Sequence, residues 1–401
     1  MPESFTKSFT QQEALPPEAI QAANRILGGA RLHRYGGSTE DPGAAMELER
    51  AFAKWQGARF CLACASGGQA IQISLLANLV ERGDPVLTNG FTLAPVPGAI
   101  RAVGACPVLV EITDDLVIDC KHLLAKAKSS GAKVLLLSHM RGHLADMTRV
   151  VELCSDLGIL LIEDCAHTMG ATFRGIKSGN FGSAACFSTQ TYKHINSGEG
   201  GLFTTNNPDA MARAVILSGS YMNYDMHGTL PDAAHFESSK YDCPNLSSRM
   251  DNLRAAILLP QLLGLDDAVA AWNQRYQIVA SALSKLGPTV AIPDSLPGAD
   301  RVGSSVQFRI PDFSSHDCAS LQDRLRERGI KLAWFGKGEP TGFTSSHRHW
   351  RYLDSQLLPN TDRILSTLFD LRLPLSFSKD DCTLLGRILV DEISRIAQIG
   401  N

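Results

Sequence analysis

Between residues 59 and 164, short apolar runs alternate with helix-period segments, and this alternation constrains the fold more than any other feature of the chain. The runs are RFCLACA (59–65), PVLTN (85–89), CPVLVEI (106–112), KVLLLSH (133–139) and ILLIED (159–164). Between them lie GGQAIQISLLANLVERG, LAPVPGAIRAVG, CKHLLAKAKSSG and DMTRVVELCSDLG. A strand with one wet face alternates polar and apolar residues, whereas continuous apolar runs are buried on both faces. Separated by helices, they predict a mostly parallel α/β sheet. Gly83, Gly104, Gly131 and Gly158 stand where helices stop before the next strand.

After about residue 180 the pattern changes. SAACFSTQ and GGLFTTNN predict two more strands, joined by a loop of small and polar residues around Lys193. The stretch 219–248 is polar, contains aromatics and is too long for a plain turn, so it reads as a functional or interface loop. A long helical segment follows, in which Pro260 is expected to cause a kink or break. The rest predicts a smaller α+β domain: strand-like SSVQFRI, a helix DCASLQDRLRERG, a loop over 336–353 and a terminal helix from about 379. The division is a large domain over 1–270, including the N-terminal segment and the 219–248 loop, and a small domain over 271–401.

Composition narrows the function classes. Hydrophobic residues make up 44% of 401, enough for a sizeable core. A net charge of −3 offers no basic excess for nucleic acid or an anionic membrane. The N-terminus is polar, without the apolar core of a signal peptide, and no apolar run is long enough to span a bilayer; a cytoplasmic protein is expected. Ten scattered cysteines read as free thiols. Cys61 and Cys64 form a C-x-x-C, but inside a strand run, which favours buried thiols over a redox or zinc pair. His347 and His349 lack a clustered carboxylate, so no metal site is expected.

In such a sheet, ligands collect beyond the carboxyl ends of the strands. Four ends carry suggestive residues. Ser66-Gly67-Gly68 precedes a helix, where open backbone N–H groups suit either an anion or a tight turn. Phe91, in Asn89-Gly90-Phe91-Thr92, either stacks on a flat ligand or packs in the core. Glu163-Asp164 terminates an apolar strand, where a carboxylate needs a partner or caps a helix. Ser188 closes another strand, five residues before Lys193, and a desolvated amine can act as nucleophile and proton carrier. Together the four describe one ligand: a phosphate at Gly67, Gly68 and Ser188, a ring under Phe91, a ring nitrogen facing Asp164 and an aldehyde joined to Lys193 as a Schiff base. That ligand is pyridoxal 5′-phosphate.

In order, S-G-G-Q-A-I (66–71), N-G-F-T (89–92), E-D-C-A-H (163–167), F-S-T-Q-T-Y-K-H (187–194), G-E-G-G (198–201) and R-M-D-N-L-R-A-A (249–256) resemble the DegT/DnrJ/EryC1/StrS sugar aminotransferase family, within the fold type I pyridoxal-phosphate enzymes. The resemblance implies a large domain with a seven-stranded, mainly parallel sheet, a small C-terminal domain and a homodimer with active sites at the interface. It makes Lys193 the Schiff-base lysine and Asp164 the pyridinium partner, and puts His167 where many members have Gln near the ring hydroxyl. The sequence departs from the family's pattern at Gly68, where many members have Thr. It departs again at Ser247, where the cross-subunit Asn usually stands and Asn245 lies two residues earlier.

The reaction implied is transfer of an amino group from glutamate or glutamine to a keto-sugar, keto-cyclitol or related ketone. Arg249 and His194 are the substrate-side candidates, Arg249 reading equally well as a structural ion pair. One rival is a dehydratase or lyase on the same cofactor. The family's sugar dehydratases carry His in place of the lysine, so Lys193 argues against it. The other rival is a non-catalytic regulatory protein that has kept the fold.

Overall fold

The apolar runs become strands because both their faces find cover. In the computed structural model, which describes residues 3–35 and 42–399, they are β1 (Phe60–Cys64), β2 (Pro85–Asn89), β3 (Cys106–Val110), β4 (Val134–Ser138) and β5 (Leu160–Asp164). A short hairpin of β6 (Thr172–Phe173) and β7 (Ile176–Lys177) leads to β8 (Ala184–Ser188) and β9 (Gly201–Thr205). The large sheet has seven strands in the order β1-β9-β8-β5-β4-β2-β3. The pairs β2/β3, β2/β4, β4/β5 and β5/β8 are parallel, while β9 runs antiparallel to both its neighbours. Every residue of β1, β4, β8 and β9 is buried. One face packs on Leu48, Phe52, Met147 and Leu258, the other on Ile73, Ile100 and Val215.

Gly131 and Gly158 cap their helices in the left-handed conformation, as expected. The helices 67–77 and 95–102 instead stop at Asn78 and Val103, and Gly83 and Gly104 serve the turns beyond. Pro260 does not break its helix, which runs Asn252–Leu263. The bend, 66°, comes at Gly264, before the helix Leu265–Leu283. A proline removes one hydrogen bond, to a carbonyl four residues back, so the helix can still close its remaining turn.

The small domain holds an antiparallel sheet of β11 (Ser305–Arg309), β13 (Leu368–Arg372) and β12 (Ala333–Trp334), with the helices Ser315–Glu327 and Lys379–Ile399 against it. One strand before it, β10 (Ala299–Asp300), returns to pair with β6. The first described residues reach this core, while the helix Pro17–Gly29 packs on the helix Asn252–Leu263. Phe5 and Phe9 pack on Phe377 with ring centroids 4.9 and 5.0 Å away, and Lys7 pairs with Asp381. Two buried aromatics outweigh the polar residues between them. All ten cysteines are free thiols, and Cys61 and Cys64 are buried in β1. Among the described residues no single helix is long and apolar enough to cross a membrane.

Candidate active site

Three strand ends meet where sequence reasoning placed them. Ser66, Gly67 and Gly68 after β1, Asp164 at the end of β5, and Ser188 at the end of β8 line one cavity of about 400 Å³, together with His167 and Lys193. Ser66 caps the helix Gly67–Ala77: its Oγ accepts from the Gln69 amide at 3.1 Å, and its carbonyl accepts from Ala70. The amides of Gly67 and Gly68 are left without partners inside the helix. Close approach explains two glycines here. A Cβ on Gly67 would sit 2.8 Å from Ser188 Cβ, and one on Gly201 would sit 2.4 Å from the Ser66 carbonyl oxygen. Any other residue would push the helix N-terminus away from Ser188.

Lys193 sits in a loop that β8 and β9 hold at both ends. Thr189 and Thr191 donate their amides to Gly200 and Gly198, and Gln261 clasps the Asn196 backbone through both its amide atoms. Part of the side chain faces the cavity, while its amine is enclosed by protein. Burial, then the Arg141 guanidinium, push the amine down to about 7, against a smaller opposing pull from Asp164. His167 accounts for the remaining contact. Its Nδ1 accepts the Arg141 amide at 3.3 Å, so its proton belongs on Nε2, 2.8 Å from Lys193 Nζ. Burial and then Lys193 hold His167 well below the usual histidine range. A neutral imidazole donating to a neutral amine satisfies both groups.

Asp164 receives Ser138 Oγ at 2.8 Å and the Ala166 amide at 3.1 Å. Its neighbour Glu163 faces the other side of the sheet, as adjacent strand residues must. There it accepts the amides of Gly179, Phe181 and Gly182 and pairs with His139 at 3.0 Å. His139, Glu163 and Cys165 lie close enough to suggest a metal site, but both Glu163 oxygens are already occupied by these donors.

Two expected site residues lie elsewhere. Phe91 is 1% exposed and packs edge-on against Phe335, centroids 5.1 Å apart, in a cluster between the domains. Asn89 folds the chain back by donating to the Phe91 carbonyl and to that of Ser138, so Leu93 and Pro95 form the apolar wall instead. Arg249 donates to the Gly219 carbonyl at 2.9 Å and lies over the Tyr221 ring, at the start of the 219–248 loop; it lines neither cavity.

His194 points to a second chamber of about 280 Å³, which shares Ala166, His167, Lys193, Gly342 and Phe343 with the first. His194 is held by Ser304 Oγ at 3.2 Å and the edge of Trp272. Arg141, Lys331 and Arg372 also line this chamber, and sequence reasoning missed all three. Arg141 follows β4 directly, so the same strand-end rule, applied to SHMRGH (138–143), would have found it.

The neutral amine is directly testable. In cofactor-free protein, reductive methylation of Lys193 by formaldehyde and borohydride should rise with pH around a midpoint near 7, because only the neutral amine attacks. A lysine with the ordinary pKa of about 10.4 would show no such rise until a far higher pH. Arg141→Gln removes a repelling charge and should move the Lys193 midpoint upward. Peptide mapping of the methylated protein reads both, and a Lys193 that tracks the bulk lysines refutes the assignment.

A profile of the DegT/DnrJ/EryC1/StrS aminotransferase family matches residues 17–388. GDP-perosamine synthase of Caulobacter vibrioides is 32% identical over 249 residues, 62% of this chain and 64% of that protein. L-glutamine:2-deoxy-scyllo-inosose aminotransferase of Streptomyces kanamyceticus is 29% identical over 269 residues, 67% of this chain and 62% of that protein. The chain therefore spans just under two thirds of either relative's length. Among solved structures, 3-amino-5-hydroxybenzoic acid synthase aligns with a TM-score of 0.80 at 25% identity, over 96% of this chain and 99% of that one. The profile runs through both domains and the Lys193 loop, and this chain belongs to the DegT/DnrJ/EryC1/StrS aminotransferase family.

Proposed function

We propose that this protein is a pyridoxal-phosphate-dependent aminotransferase that moves an amino group from glutamate or glutamine to the ketone of a sugar, a cyclitol or a related ring. The single observation that carries this reading is an enclosed amine, neutral near pH 7, between an anion cradle and a carboxylate. The residues fit the cofactor. The Gly67 and Gly68 amides and Ser188 would hold its phosphate at a helix N-terminus, and Gly67 leaves no room for a Cβ beside Ser188. Asp164 would face its ring nitrogen, and Leu93 and Pro95 would cover the ring. Bound there, the cofactor supplies an electron sink for the carbon that carries the amine.

The chain's own residues do the rest. Lys193 Nζ takes the α-proton of the amino donor and later returns a proton, and an amine titrating near 7 can do both. His167 orients that amine through its Nε2–H. Asp164 keeps its place through Ser138 and the Ala166 amide. The same reading takes the protein as a cytoplasmic homodimer, with Tyr221, Met222 and Tyr241, all exposed in one chain, as candidates for the subunit contact.

Glutamate or glutamine, added without any ketone to the cofactor-loaded protein, should convert the aldehyde form of the cofactor to its amine form, read by the loss of visible absorbance and one equivalent of keto acid. A cofactor that stays in the aldehyde form with both donors refutes the proposal.

A further inference from the structure

The mechanism uses one charge of the second chamber, Arg141 beside the Lys193 amine, and leaves the others idle. Arg141, Arg372 and Lys331 face it against a single carboxylate, Asp370. Asp370 is already engaged, by Gln307 Nε2 at 2.6 Å and by Arg141 at 2.9 Å. Arg372 donates to the Phe9 carbonyl and lies over the Tyr192 ring, with its nearest acid, Glu13, 3.9 Å away. Arg141 Nε and His194 Nδ1 are buried without a hydrogen-bond partner among the described residues, and His194 is only 8% exposed. Buried polar atoms ordinarily find partners, and a stranded one marks a place for a ligand. Excess positive charge beside such atoms suits an anion that a guanidinium can grip.

Size narrows the anion's carrier. At about 280 Å³ the chamber is smaller than the ~300–1,000 Å³ of sites for drug-sized ligands. It has room for one ring with an acidic group, and Trp272, Tyr192 and Phe343 give it an aromatic lining for that ring. The chamber shares Lys193 with the first cavity, so a ring seated there lies beside the amine that moves the proton.

We propose that the second chamber binds a carboxylate on the amino acceptor, with Arg372 as its principal partner, and that the acceptor is an acidic ring ketone and not a neutral or nucleotide-linked one. This rests on the aminotransferase reading for the word acceptor, but the chamber's preference for a carboxylate can be measured without turnover.

The experiment is calorimetric titration of the pyridoxal-phosphate-loaded protein with cyclohexanecarboxylate, its neutral isostere cyclohexylmethanol, and uridine diphosphate. The carboxylate should bind at least about tenfold tighter than either, as expected for a charge-assisted pair. Arg372→Gln should remove that preference, and Arg372→Lys, which keeps the charge and guards against a folding artefact, should retain part of it. In turnover with glutamate, 3-oxocyclohexanecarboxylate should show kcat/KM at least about tenfold above its methyl ester. Equal binding of the alcohol, tighter binding of uridine diphosphate, or a preference untouched by Arg372→Gln overturns the proposal. Loss of the glutamate half-reaction with the carboxylate preference intact would instead count against the aminotransferase reading alone.

Discussion

Lys193→Ala is expected to lower amino transfer by on the order of 10⁴-fold, the upper end of what a positioned acid–base group contributes. Nothing nearby can take over. His167, the group in contact with the amine, is held neutral by burial and by Lys193 itself, and His194 is likewise pushed down to about 3, by burial first and Lys193 second. Removing Lys193 relieves part of both depressions but leaves two imidazoles that cannot form the covalent link an amine forms. The fold should not suffer. At pH 7 an unfolded chain protonates this lysine fully, while the folded amine has lost part of that affinity, so the native state carries a cost that is near its full size below about pH 7 and disappears as pH rises toward ~10.4. The variant should therefore melt no lower than the parent at pH 7. Turnover with glutamate plus the melting temperature decides it: a variant keeping a tenth of the parent's rate would show that Lys193 is not the catalytic amine.

How much of this site the sequence carried depends on what kind of contact placed each residue. Ser66, Asp164, Ser188 and Lys193 were legible because each is fixed by local grammar, the end of an apolar run followed by small or polar residues. The sheet was legible for the same reason, with β2 matching its predicted run residue for residue. Phe91 lies away from the cavity because the direction of a side chain beyond a strand end is set by a nonlocal bond, here Asn89 to the Ser138 carbonyl 49 positions later. Arg372 and Lys331 come from the small domain and reach Lys193 only through the packing of one domain on the other. Phe5 and Phe9 join the small-domain core, and sequence adjacency says nothing about which core a terminal segment joins. Arg141 is a different case: its position was readable, and its left-handed backbone at φ 55° was not.

The clearest illustration of a nonlocal contact is also the site of the largest stability effect. Glu49→Ala should destabilise the protein by about 3–5 kcal/mol, the usual cost of stranding a buried partner. Arg34 and Glu49 pair at 3.0 Å with 1% and 0% of their side chains exposed. Glu49 also accepts the amides of Ala63 in β1 and of Gly228 in the 219–248 loop, and Arg34 meets His227, whose other nitrogen meets Tyr35. One carboxylate thus joins the N-terminal segment, the helix Ala44–Gln56, an edge strand and the long loop that follows the Lys193 region. Burial pushes the Glu49 carboxyl up, but Arg34 and then His227 outweigh it and hold the group at about 2. Its folded value lies below its unfolded one, so its contribution is complete above about pH 4.3 and is lost as pH falls toward 2. Thermal melting should show a fall of about 4–6 °C for Glu49→Ala at pH 7, shrinking as pH drops through that window. The double change Arg34→Met with Glu49→Leu should recover much of the loss, because it removes both charges together and leaves neither buried alone. A single variant that melts with the parent, or a double variant no better than the single, would mean that the pair is solvated and that the loop is anchored by other contacts.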